Sequence, residues 1–178
     1  MHRQPLLQLL YQHSPADPNE QTMSQATIAF VEQYPDCFER SLLIGHVTGS
    51  AWIVSPDRTQ TLLIHHRKLD RWLQPGGHAD GDPDVAAVAL REAQEETGLT
   101  SLRLLKPAVF DVDVHQIPAR NEVPEHLHYD IRFLLEADLN EPFGLSDEIK
   151  NIQWFSLEKA KTITDSESIL RLIRKNIS

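Results

Sequence analysis

The sequence predicts an α+β fold, a sandwich of helices around a mixed β-sheet with an N-terminal helical extension. Three observations predict it. Short β-branched and leucine-rich runs of strand length recur between residues 41 and 156. One helix with clear start and stop signals interrupts them near the middle, and helical runs stand at both ends.

Residues 1–40 read as the extension. Leu6, Leu7, Leu9 and Leu10 form an apolar cluster, and SPADPNE then breaks the pattern with two prolines. A second run, Met23 to Tyr34, sets Ile28, Phe30, Val31 and Tyr34 at helical spacing. Residues 41–178 read as the main domain. LLIGHVTGSAWIVS and TLLIHH are strands flanking the turn at Pro56-Asp57. KLDRWLQPGGHADGDP reads as a long loop rich in glycine and aspartate. A helix follows over about Val85 to Thr97, with Asp82 as its N-cap, Pro83 in its first position and Gly98 as the left-handed residue that closes it. AVFDVDVH and LHYDIRFLLEA are strands joined by the polar loop QIPARNEVPEH. NIQWF is a last strand, before a helix with Ile169, Leu170, Leu172 and Ile173 on its apolar face.

Composition narrows the function classes. The 178 residues, 40% hydrophobic and 24% charged, suit one folded domain rather than a disordered chain. A net charge of −9 argues against non-specific binding to polymeric nucleic acid or to an anionic membrane. The single cysteine, Cys37, can form neither an intramolecular disulfide nor a cysteine-based zinc site. No apolar run approaches a membrane span, and the N-terminal leucines, interrupted by Gln8, do not read as a signal peptide. A cytoplasmic protein acting on a small molecule is expected, with a partner-binding or homodimer-forming role open to the N-terminal helices.

The central helix carries the chemistry. Ala86, Ala89, Leu90 and Ala93 form a narrow face of mostly small side chains, suited to close packing. Glu92, Glu95 and Glu96 stand at i, i+3 and i+4, so three carboxylates share one side. From Asp80 to Gly98 there are six acidic residues and one basic residue, Arg91. A divalent cation such as Mg²⁺ or Mn²⁺ would relieve that repulsion. From spacing alone, a solvated acidic face explains the stack equally well.

The segment Gly77-HADGDPDVAAVAL-Arg91-Glu92-Ala93-Gln94-Glu95-Glu96-Thr97-Gly98-Leu99 resembles the Nudix box. Gly77, Arg91, Glu92, Ala93, Glu95, Glu96, Gly98 and Leu99 all match at that family's spacing, and Trp72 to Gly76 resembles the usual approach to it. One position departs: the glutamate expected after the five-residue gap is Pro83, flanked by Asp82 and Asp84. The resemblance implies an α/β/α sandwich and a metal-dependent hydrolase of a diphosphate linkage in a nucleoside diphosphate derivative. It implies Mg²⁺ or Mn²⁺ held by Glu92, Glu95, Glu96 and the Gly76 carbonyl. Arg91 would orient a box glutamate, and the general base would be a box or a loop glutamate.

Outside the box, Asp111, Asp113 and His115 alternate onto one strand face, as do His126, His128 and Asp130. A short loop favours antiparallel pairing, so these six side chains are expected to meet. The face they form is either a contact for a further metal, a phosphate or a nucleobase edge, or an exposed sheet face with ordinary polar residues. His128, Asp130 and His78 are the substrate-contact candidates. Glu122, Glu125 and Glu148 are weaker candidates for a base or ligand, and Trp72 for stacking. The competing reading is a Nudix-like nucleotide-binding or regulatory domain with little hydrolytic activity, for which Pro83 is the best support. An isoprenoid diphosphate isomerase would call for a cysteine in the site, and Cys37 lies in the extension.

Overall fold

The computed structural model describes residues 2–120, 122–144 and 146–177. Helices α1 (Gln4–Gln12) and α2 (Pro18–Gln33) come first, then strands β1 (Gly45–Val54), β2 (Gln60–His66), β3 (Arg71–Leu73) and β4 (Gly76–His78). Helix α3 (Val85–Thr97) precedes β5 (Arg103–Ile117), β6 (His126–Glu136) and β7 (Ile149–Ser156), and α4 (Leu157–Ile163) and α5 (Glu167–Ile177) close the described chain.

The α+β expectation holds, with a mixed seven-stranded sheet. β1 runs parallel to β6 along its whole length, from Gly45↔Leu127 to Val54↔Glu136. Its other edge is shared. At its C-terminal end it pairs with β2 (Ile53↔Leu62), and nearer its start with β4 (Thr48↔His78, Ser50↔Gly76). β2 in turn pairs with β3 through Ile64↔Leu73 and, on its opposite edge, with β7. β1 and β2 therefore separate after a short contact, with β3 and β4 between them. The stretch Lys68–Pro83, expected as one long loop, carries these two strands.

Period-two alternation sends the two faces of the sheet to different cores. Val47, Ala51 and Ile53 of β1 and Ile131, Phe133 and Leu135 of β6 join a core completed by α1, α2 and α3. Trp52, Val54 and Leu134 face the other way and pack with Ile169, Leu172 and Ile173 of α5. On α3 the buried residues are Val85, Val88, Ala89, Ala93 and Thr97. The expected face is thus corrected by a rotation: Ala86 and Leu90 are only half-buried. Close approach is real all the same, because a Cβ on Gly49 of β1 would fall 2.8 Å from the Val85 carbonyl oxygen.

The N-cap expectation needs a second correction. Asp84, not Asp82, caps α3, its carboxylate accepting the Ala87 N–H at 3.1 Å, and Pro83 lies outside the helix. Asp82 instead accepts the Asp84 N–H at 2.9 Å, which holds the cap in place. Gly98 closes the helix in the left-handed region, φ 71°, as expected.

Helix α2 begins at Pro18, capped by Asp17, five residues before the expected run. Glu20 in its first turn is fully buried and accepts from His13 Nε2 (2.7 Å), Lys175 Nζ (2.6 Å) and the Val112 N–H (3.2 Å). One carboxylate thus satisfies a backbone donor of β5 and links the N-terminal helices to α5.

Candidate active site

The glycine strand β4 brings α3 to the sheet. A Cβ on Gly77 would sit 2.1 Å from Glu92 Oε2, so that glycine is where the helix carboxylate passes the backbone. The Gly76 N–H donates to Glu96 Oε2 at 2.9 Å. Burial, despite that bond, pushes the Glu96 carboxyl up to about 7, with Glu92, Glu148 and Glu95 adding repulsion. Burial also raises Glu92, against the nearby Arg91. Glu95 is different: its side chain is 63% exposed and lies 3.9 Å from Arg91. The structure therefore brings Glu92, Glu96 and Gly76 together at a cleft and leaves Glu95 outside its lining.

Arg91 is the hinge of this group. Its guanidinium donates to Glu92 Oε1 at 3.2 Å and to the His78 carbonyl at 3.3 Å, and lies 3.7 Å from Asp82. Asp82 thereby approaches the box arginine from the segment in which Pro83 replaces the family's glutamate.

The cleft, about 1310 Å³, opens over the polar part of the sheet face. Cross-strand register places the side chains in rows: His115, His128 and His46; then Asp113, Asp130 and Thr48; then Asp111, Arg132 and Ser50. The six side chains singled out on β5 and β6 thus do share one face. Two cations that sequence reasoning missed hold the carboxylates among them. Arg132, 2% exposed, donates to Asp130 (2.8 Å) and Asp111 (3.2 Å) and lies 3.3 Å from Asp113. Arg171 of α5 donates to Asp111 (2.8 Å) and Asp113 (3.1 Å). Burial alone would raise Asp113, but His115, Arg132 and Arg171 hold its carboxyl well below the usual range.

Asp130 is almost fully occupied: besides Arg132 it accepts from Thr48 Oγ1 at 3.0 Å and Ser50 Oγ at 2.7 Å. His78 and His128 line the cleft, and burial lowers both imidazoles, favouring the neutral form. His46, behind them, is lowered to about 4, again chiefly by burial. Sequence reasoning missed His46 as well. Of the remaining candidates, Glu148 lines the cleft and accepts from Lys68 at 2.8 Å, whereas Glu122 and Glu125 are exposed and off it. Trp72 stacks on His65 and meets Phe155 edge-on, a packing arrangement.

Comparison with known proteins decides the family. The NUDIX domain model matches residues 46–175. The chain belongs to the NUDIX family. Its curated relatives include an RNA pyrophosphohydrolase of Acidiphilium cryptum, 34% identical over 49% of this chain and 42% of that protein. A probable DHNTP pyrophosphohydrolase of Lactococcus lactis is 30% identical over 63% of each chain. The chain thus spans less than two thirds of the length of these relatives. Among solved structures, an Ap4A hydrolase binary complex of C. elegans aligns with a TM-score of 0.59 at 23% identity, over 72% of this chain and 93% of that one, a likeness of fold. Among the described residues, no helix is long and apolar enough to cross a membrane.

Proposed function

We propose that this NUDIX protein is a metal-dependent hydrolase of a diphosphate linkage in a nucleoside diphosphate derivative, with water attacking phosphorus. The observation that carries the reading is the convergence of Glu92 and Glu96, both part-buried with raised pKa, on the Gly76-Gly77 strand at the cleft wall. Carboxylate and carbonyl oxygens are hard donors that fit Mg²⁺ or Mn²⁺, and an ion there would relieve the repulsion that raises both groups. Glu92, Glu96 and the Gly76 carbonyl would hold it, and Glu95, exposed on α3, would join them only by turning towards the cleft. Such an ion supplies Lewis acidity to the diphosphate oxygens.

The protein's own groups do the rest. Arg91 fixes Glu92 by a charge-assisted bond and ties it to the His78 carbonyl. Glu96 keeps Oε1 for the ion while the Gly76 N–H occupies Oε2, and the proton of the attacking water would pass to a further box or loop glutamate. His78 and His128 contact the remainder of the substrate on the sheet side of the cleft. Asp130, saturated by four protein donors counting Gln74 at 3.5 Å, positions the Thr48 and Ser50 hydroxyls beside them. The relatives' names, covering RNA, DHNTP and dinucleoside substrates, share the phosphoanhydride bond and differ in what is attached to it. The net charge of −9 supports a small substrate over polymeric nucleic acid or an anionic membrane surface.

The test is a turnover screen with Mg²⁺ and Mn²⁺ across mononucleotides, dinucleoside polyphosphates, nucleotide sugars and coenzyme-type diphosphates. Ion-dependent hydrolysis of one class, reduced at least about a hundredfold by Glu92→Gln or Glu96→Gln, is the expected result. Tight binding of a nucleotide with no turnover under any ion would favour the regulatory-domain reading that Pro83 suggests.

A further inference from the structure

Three histidines far apart in the sequence meet behind the cleft. His46 and His128 are register partners on parallel strands β1 and β6, and His78 sits on β4 opposite Thr48, two residues along β1. Their ring centroids are 4.8 Å apart for His46–His128, and 5.0 Å for both His46–His78 and His78–His128. Three imidazoles around one tetrahedral ion, with metal–nitrogen bonds of about 2.0–2.1 Å, place their centroids about 5 Å apart, so the triangle has the required size. The rings are splayed rather than stacked, at 47°, 51° and 86° to one another, and one nitrogen from each lies within 4.8 Å of the others.

The hydrogen bonding points the same way. His46 is 3% exposed, and neither ring nitrogen has a hydrogen-bond partner of full geometry among the described residues, the Leu42 backbone being a weak polar contact; His128 Nε2 is buried with none. Buried polar atoms left unsatisfied are destabilising, and an ion bound between these imidazoles would satisfy them. His126 stands beside them, 5.0 Å from His46, with Nδ1 at 2.9 Å from the Pro124 carbonyl. Donation to that carbonyl fixes the tautomer that leaves an Nε2 lone pair.

We infer that His46, His78 and His128 form a binding site for a borderline divalent transition ion of the Zn²⁺ type, separate from the carboxylate site on α3. Imidazole nitrogens without carboxylate oxygens select Zn²⁺, Co²⁺ or Ni²⁺ over Mg²⁺. His78 and His128 line the cleft and His46 does not, so an ion held by all three would be approached from the cleft, and these two imidazoles would act on a substrate there through the ion. That consequence rests on the hydrolase reading. Ion binding does not.

The experiment uses untagged full-length protein stripped with a chelator and titrated with Co²⁺ and Zn²⁺, read by visible absorption and calorimetry. One Co²⁺ per chain is expected to give the intense spectrum of tetrahedral nitrogen coordination, displaced by Zn²⁺ and unaffected by excess Mg²⁺. His46→Leu and His128→Leu should each weaken Zn²⁺ at least a hundredfold. His46→Leu removes a buried group whose polar contact to the Leu42 backbone is weak, so its melting temperature should stay within a few degrees of the metal-free wild type, which separates lost binding from lost folding. Glu92→Gln should leave the site intact. A weak, octahedral-type Co²⁺ spectrum in the wild type, or Zn²⁺ affinity that follows Glu92→Gln instead of His46→Leu, overturns the inference. Either outcome leaves the hydrolase reading standing, and failure of the turnover screen would leave the ion site standing.

Discussion

The Gly76 N–H donates to Glu96 Oε2 at 2.9 Å, and this bond fastens the second half of the carboxylate stack to the sheet. It stabilises the ionised carboxylate, yet burial outweighs it and the group titrates at about 7. The sign follows from linkage. Between its ordinary value of 4.5 and about 7, the folded state keeps a proton that the unfolded chain has lost, so stability falls as pH rises through that window. Metal-free protein should therefore melt lower at pH 8 than at pH 5 for this group's part, by on the order of 2–3 kcal/mol. Glu96→Gln should remove that slope and raise the metal-free melting temperature at pH 8. Mg²⁺ or Mn²⁺ should stabilise the wild type and not the variant. Melting curves with and without chelator across pH 5–8 check all three.

The two glycines of β4 predict different failures. At Gly77 an added Cβ meets the far end of the Glu92 side chain, 2.1 Å from Oε2, which can swing away. At Gly76 it meets Ser50 Cα at 2.7 Å, where the backbone must move. Gly77→Ala should fold with a melting temperature within a few degrees of wild type but lose activity about a hundredfold, because the displaced Glu92 also leaves Arg91. Gly76→Ala should cost about 1–3 kcal/mol of stability, as overpacking does. Paired denaturation and kinetic assays distinguish them.

Arg132 predicts a pH-dependent lesion. Its guanidinium is buried among Asp111, Asp113 and Asp130, and Arg171 covers only the first two. Arg132→Met keeps the volume and removes the charge, leaving Asp130 without a cation. A loss of about 3–5 kcal/mol at pH 7 is expected. Asp113, held low in the wild type, contributes stability above its ordinary value of 3.8 that disappears as pH falls. The deficit of the variant should therefore hold from pH 7 to pH 4 and shrink only below pH 4. Urea unfolding at pH 7, pH 4 and pH 3 measures it.

These networks show what was legible in the sequence and what was not. Helix α3 was readable from Val85 to Thr97 because Gly98 and the acidic start punctuate it, although the cap itself sits two residues later than Asp82. The polar faces of β5 and β6 were readable because alternation is local. β3 and β4 were not: three residues each, two of them glycines, carry no periodic signal. Helix α4 was too short, at seven residues, to show one. Arg132 follows Asp130 at i+2 and was legible in the same alternation, whereas His46 and Arg171 enter the site only through parallel β1–β6 pairing and the docking of α5, contacts between distant segments that no local pattern encodes.

The departure at Pro83 yields the last prediction. The family's glutamate there is absent, but its neighbours are not idle. Asp84 caps α3 through the Ala87 N–H, and Asp82 accepts the Asp84 N–H at 2.9 Å while standing 3.7 Å from Arg91. The loop is therefore tied to both the helix start and the box arginine without a residue-83 carboxylate. Pro83→Glu adds a negative charge between two aspartates and frees a restrained backbone, so it brings little that Asp82 does not supply. Turnover should change by less than about tenfold, or roughly 1.4 kcal/mol of barrier. Asp82→Ala should cost more than Pro83→Glu gains, because it loosens the cap and removes one of the carboxylates around Arg91. Steady-state kinetics on the best substrate compare the three chains. A gain of several hundredfold for Pro83→Glu would mean that the wild-type box lacks a carboxylate it needs, and would move the balance from hydrolase to binding domain.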